Sequence, residues 1–132
     1  MEITETKALI PEIDRDYLTA KQYKYDIAVV DGWVNLIIHE YLLPAAYTPR
    51  VVDLLIRLPP GYPNSHPDMF WTSPDVRLVS GNNWPMRADV PEQYAGRSWQ
   101  RWSRHFSGEW RPGIDNLRTY LASIRRELEK GL

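Results

Sequence analysis

An α+β domain is what the sequence predicts, on three observations. Apolar residues alternate with polar ones in segments between Tyr25 and Leu58, which is the period of half-buried strands. A proline-dense stretch, Pro59, Pro60, Pro63 and Pro67, halts that pattern. Near the end, Ile114, Leu117, Leu121, Ile124 and Leu128 recur at helical spacing. Together they predict an N-terminal helix, a four-stranded antiparallel meander, a long irregular segment and a packed C-terminal helix.

Each element has its own signal. Asp14-Arg15-Asp16 ahead of Tyr17, Leu18 and Lys21 suits a short helix with an aspartate cap and acid in its first turn. Tyr25, Ile27 and Val29 then form one face of a first strand, and Asp31-Gly32 is a strong two-residue hairpin signal. The second strand sets Val34, Leu36 and Ile38 against Trp33, Asn35 and His39, so one side of the sheet is expected to be wetter. In the third, Val52, Leu54, Ile56 and Leu58 alternate with Asp53 and Arg57. Residues 58–67 make an ordered turn, because proline cannot donate to a central ladder. Met69-Phe70-Trp71-Thr72 supplies a short fourth strand, and residues 73–111, lacking sustained periodicity, are expected to be a long, partly irregular functional loop. Pro112-Gly113 before Asp115 starts the last helix, with Arg118, Arg125, Arg126, Glu127 and Glu129 on its wet side, and Gly131 ends it.

Composition narrows the function. At 132 residues, with 43% hydrophobic and 25% charged residues, the chain fits one domain over residues 1–132 and can bury a core. With 16 basic against 17 acidic residues, no whole-molecule field draws it to nucleic acid or an anionic membrane. There is no cysteine, hence no disulfide and no thiolate metal site. The first residues lack the apolar run of a signal peptide, and no stretch approaches the roughly 20 apolar residues of a membrane span, so the expected location is cytoplasmic. His39, His66 and His105 stand far apart without ligand spacing, which argues against metal. Neither a glycine-rich phosphate loop nor a Gly-x-Ser-x-Gly elbow is present, so no cofactor is expected.

Three motifs carry a resemblance. They are Pro59-Pro60-Gly61-Tyr62-Pro63 with Pro67 and Phe70 after it, Phe70-Trp71-Thr72-Ser73-Pro74-Asp75-Val76, and Trp110-Arg111-Pro112 leading into a helix. In that order and spacing the chain resembles the ubiquitin-conjugating (UBC-like) fold from about Tyr17 to Leu128. The segment Trp99-Gln100-Arg101-Trp102-Ser103-Arg104-His105 is similar to a bacterial branch, the prokaryotic family E of ubiquitin-conjugating-like proteins. The resemblance implies a carrier that accepts the C-terminus of a ubiquitin-like protein from a ubiquitin-activating-type enzyme and passes it on. It also implies that Tyr62 and Trp110 shape the site, and that Arg15, Tyr17 and Lys21 on the first helix are contacts for the activating enzyme.

The departures are as informative. The family's His-Pro-Asn motif reads Ser73-Pro74-Asp75 here, and an ionised aspartate repels a developing oxyanion rather than donating to it. Asp75 could instead desolvate or deprotonate an incoming lysine, the alternative being an exposed turn residue. The thiol nucleophile is absent, and counting back from Trp110 by the family's usual spacing lands on Trp102, beside Ser103.

A hydroxyl needs a base, so a serine acting as acyl carrier calls for a histidine within reach. If the chain there is extended, Ser103 and His105 share a face, whereas in a helix they diverge. Arg101 and Arg104 would supply positive charge to an acyl oxyanion or to the acidic face of a partner. The competing reading makes Ser103 a cap and His105 an ordinary residue. It leads to a catalytically inactive adaptor that binds a ubiquitin-like protein or its activating enzyme. Trp84, Trp99, Trp102 and Trp110 with Arg97, Arg101, Arg104 and Arg111 form a basic aromatic stretch. It is read as loop packing and a protein-binding hot spot, since the near-zero net charge disfavours nucleic acid.

Overall fold

The computed structural model describes residues 9–106 and 108–130. Helix α1 (Glu12–Ala20) is followed by β1 (Lys24–Val30), β2 (Trp33–Leu42), β3 (Tyr47–Thr48) and β4 (Val51–Leu58). After the proline-rich turn come β5 (Phe70–Ser73), β6 (Arg77–Leu78), β7 (Val90–Tyr94), β8 (Arg97–Trp102) and helix α2 (Leu117–Glu129). Six strands make one antiparallel sheet in the order β1-β2-β4-β5-β8-β7, while β3 and β6 pair separately. The α+β architecture with a helix at each end is the UBC-like arrangement the sequence predicts.

The meander is built as expected. Asp31 and Gly32 both take positive φ, 53° and 81°, as the tight turn between paired Val30 and Trp33 requires. Leu36 and Ile38 of β2 and Leu54 and Ile56 of β4 are fully buried under Leu117, Leu121, Ile124 and Leu128 of α2. Burying each such side chain stabilises the fold by about 2 kcal/mol. The opposite face is less wet than its polar pattern suggests, because Ile37, Leu55, Trp71 and Trp99 form a second, smaller core there.

Three expectations need correction. The sheet has six strands rather than four, since residues 73–111 hold a hairpin, β7–β8, that extends the β5 edge. Its turn, Ala95-Gly96, has the same paired positive φ as Asp31-Gly32 but lacks the usual aspartate or asparagine. Helix α1 starts at Glu12 behind Pro11, so Asp14 is not its cap. Asp14 is instead 1% exposed, and its carboxylate accepts the Leu117 N–H at 3.1 Å and the Tyr62 hydroxyl at 2.6 Å. It thus caps the other helix and ties the proline-rich turn to it. Last, α2 begins at Leu117, where Asn116 and Thr119 form a reciprocal capping box, and Ile114 lies outside the helix and is exposed. Gly131, the expected terminator, lies outside the described residues.

Candidate functional site

The site is set by strand β8 and the chain just beyond it. Side chains alternate across a strand, so within β8 Gln100 and Trp102 point one way and Arg101 the other; just beyond its end Arg104 is buried like the first two and Ser103 bonds to Arg101. The first set is scaffold. Trp102 is fully buried, stacked on Phe70 at 5.2 Å and against Tyr47 at 5.6 Å, with its indole N–H donated to Thr72 Oγ1 at 2.9 Å. Arg104 is 5% exposed and donates to the Met86 and Glu127 carbonyls. Gln100 is buried and uses its amide fully, accepting from Thr72 and the Val76 N–H and donating to the Val76 and Ala88 carbonyls. The expectation that Trp102 and Arg104 touch a partner or an acyl group is therefore corrected: neither side chain reaches the surface.

The second set is accessible. Ser103 is half-buried, its backbone N–H is held by the Arg87 carbonyl at 2.8 Å, and its Oγ accepts the Nε–H of Arg101 at 2.8 Å. Arg101 is fixed in turn by Glu92, with Nη1 to Oε2 at 2.9 Å. The other Glu92 oxygen accepts the Trp71 indole N–H at 2.8 Å and the Tyr94 hydroxyl at 3.2 Å. A guanidinium held at a serine oxygen lowers the cost of negative charge there, because charge-assisted hydrogen bonds are about twice as strong as neutral ones.

Residues 103–106 are neither helix nor strand. Among the described contacts, His105 does not bond to Ser103. Its Nδ1 lies 2.7 Å from Asp68 Oδ2, and Asp68 Oδ1 accepts the Phe106 N–H at 3.0 Å. Phe106 is boxed by His66, Trp110 and Tyr120, with ring centroids 5.4 to 6.0 Å away. Tyr62 and Trp110 are half-buried neighbours, and the Trp110 indole N–H donates to the Pro63 carbonyl at 2.9 Å. They stand side by side where the chain ahead of α2 meets the proline-rich turn.

Asp75 does not join Ser103. It is exposed and borders a cavity of about 140 Å³ with Trp84, Asp89, Val90, Pro91 and Gln100, on the Gln100 side of β8. Of the three residues expected on the first helix, Lys21 lies just past the end of α1 and is exposed, Tyr17 packs against the core and Arg15 is half-buried, so Lys21 is the freest to meet a partner. Glu92 and Asp68, which bond to Arg101 and His105, are the partners sequence reading missed. Both reach the site through strand pairing and turn geometry, and only the Pro67-Asp68 dipeptide beside the motif hinted at one of them.

Among the described residues no cluster of side chains suits a metal ion, and no helix is long and apolar enough to cross a membrane. A family model described as prokaryotic E2 family E matches residues 10–131. No curated protein and no solved structure matches the chain. An E2-like family points in general terms to carriage in ubiquitin-like protein conjugation, and to contact with ubiquitin-like proteins and activating enzymes.

Proposed function

The chain belongs to prokaryotic E2 family E, and from that premise we propose that it carries the C-terminal acyl group of a ubiquitin-like protein as an oxyester on Ser103. The observation that carries the reading is the 2.8 Å contact from Arg101 Nε–H to Ser103 Oγ, in a chain without any cysteine. A guanidinium is a cation, so Arg101 offers positive charge to an oxygen that must become nucleophilic. In the loading step Oγ attacks the carbonyl carbon of the activated C-terminus. The new O–C bond forms, the bond to the activating enzyme's leaving group breaks, and the Oγ proton passes to a base. His105 is that base in this reading, with Nε2 as the nitrogen not engaged by Asp68. Transfer onward to an amine is slower from an oxyester than from a thioester, so positioning must supply the difference. Lys21, at the end of α1, with Arg15 and Tyr17 on the helix, is the proposed contact for the activating enzyme, whose use of ATP puts the reaction in the cytoplasm.

Two observations favour the adaptor reading instead: His105 is bonded to Asp68 rather than to Ser103, and Asp75 lies on the other side of β8. The two readings part in one experiment. The chain is mixed with activating enzyme, ATP and ubiquitin-like protein, and an adduct is sought that survives thiol reductant and falls to mild hydroxylamine. Ser103→Ala should abolish it and Ser103→Cys should make it reductant-sensitive. Absence of any adduct with the cognate partners leaves the adaptor.

A further inference from the structure

We propose that Asp68 is the positioning residue for His105: it holds Nδ1 protonated and the ring fixed, so that Nε2 is the proton acceptor presented by the loop after β8. Only the use made of that acceptor rests on the carrier reading above.

The geometry comes from two independent anchors. Asp68 leaves the proline-rich turn just ahead of β5 and spends both oxygens on the loop, Oδ2 on His105 Nδ1 at 2.7 Å and Oδ1 on the Phe106 N–H at 3.0 Å. A carboxylate at this distance only accepts, so the ring nitrogen facing it must carry the hydrogen. In a neutral imidazole the other nitrogen then has the lone pair. The second anchor is Phe106, whose ring is enclosed by His66, Trp110 and Tyr120. Tyr120 donates its hydroxyl to the Met69 carbonyl, next to Asp68, which ties the floor of the box to the same turn. Loop, turn and α2 thus fix the backbone on the C-terminal side of His105, and the carboxylate fixes its ring. The His105 side chain is nevertheless 60% exposed, so its outer edge faces solvent and any bound partner. When Nε2 takes a proton from a substrate, the ring that receives it is already held against a carboxylate.

The test reads the tautomer directly, by long-range proton–nitrogen NMR of the full chain at about pH 8, above the ordinary histidine range. Wild type should show one His105 form, with Nδ1 protonated and Nε2 bare. Asp68→Asn should convert it to the mixture of an unrestrained ring, and Asp68→Glu should restore the single form. A wild-type ring that is protonated on Nε2, or that is already a mixture, overturns the proposal, as does an unchanged tautomer in a folded Asp68→Asn. Should that variant lose its dispersed amide spectrum, the wild-type tautomer decides alone. In the loading assay Asp68→Asn should slow adduct formation by about 10-fold or more, with recovery in Asp68→Glu. Equal rates in the asparagine variant also overturn it. If no variant forms an adduct while the tautomers behave as stated, the carrier reading falls and the hold of Asp68 on His105 stands.

Discussion

The two faces of strand β8 follow different rules although their residues alternate one by one. On the helix side, Gln100, Trp102 and Arg104 are buried and fully engaged, and their work is to hold β5, the loop before β7 and α2 together. On the other side Arg101 and Ser103 remain partly open and are connected through Glu92 to the sheet. A motif-level likeness cannot separate them, because Trp102 and Arg104 sit in the same short segment as Ser103. Burial does separate them: Trp102 and Arg104 are enclosed, while Arg101 and Ser103 stay partly open.

The largest effect expected is on the helix side. Trp102→Ala should destabilise the fold by about 3–5 kcal/mol, as loss of a large buried ring does, measured by urea unfolding. Ser103→Ala next to it should change stability by less than about 1 kcal/mol while abolishing the adduct. Equal losses in the two variants would break the comparison. Gln100→Leu comes next, at about 3 kcal/mol, because it leaves the Val76 and Ala88 backbone groups buried without partners. On the open side, Arg101→Ala should leave unfolding within about 1 kcal/mol, since the pair with Glu92 is partly exposed. Its loading rate should nevertheless fall by about 100-fold, as for a lost oxyanion donor.

The smallest effect concerns pH on that same open face. His39 lies between Asp26, at 2.7 Å, and Asp53, at 3.2 Å, and Asp53 also receives Arg97 at 3.0 Å. The Asp26 hydrogen bond, helped by Asp53, raises the His39 pKa against the opposing effect of burial. Burial alone would raise the Asp53 pKa, but Arg97 and His39 outweigh it and the net shift is downward. A histidine raised on folding stabilises fully below its unfolded value near 6.5 and loses that contribution as pH rises through its higher folded value. Wild type should therefore lose up to about 1 kcal/mol across that window, and His39→Gln should flatten the slope. The check is unfolding free energy at several pH values.

Much of the fold was legible because its signals are local. The Asp31-Gly32 turn, the alternation of β4 and the stripe of α2 each follow from a short window of sequence. The β7–β8 hairpin was not legible, and the reason is physical. Its inward residues include Gln100, buried by satisfying its amide, while Trp99 is buried on the opposite face, so β8 shows no polar–apolar alternation. Asp14 was misread for a similar reason: a buried carboxylate that caps a distant helix looks in sequence like a local cap. In the site, Ser103, Arg101 and His105 stood out as a cluster, whereas Glu92 and Asp68 reach it only through pairing register and the turn.

The central claim is that Ser103 takes the acyl group, and site mapping tests it most directly. After loading with activating enzyme, ATP and ubiquitin-like protein, the adduct is digested under mildly acidic conditions and the modified residue located by tandem mass spectrometry. The account predicts the C-terminal remnant on the Ser103 hydroxyl. A remnant on a lysine or any other residue, with Ser103 unmodified, would contradict it.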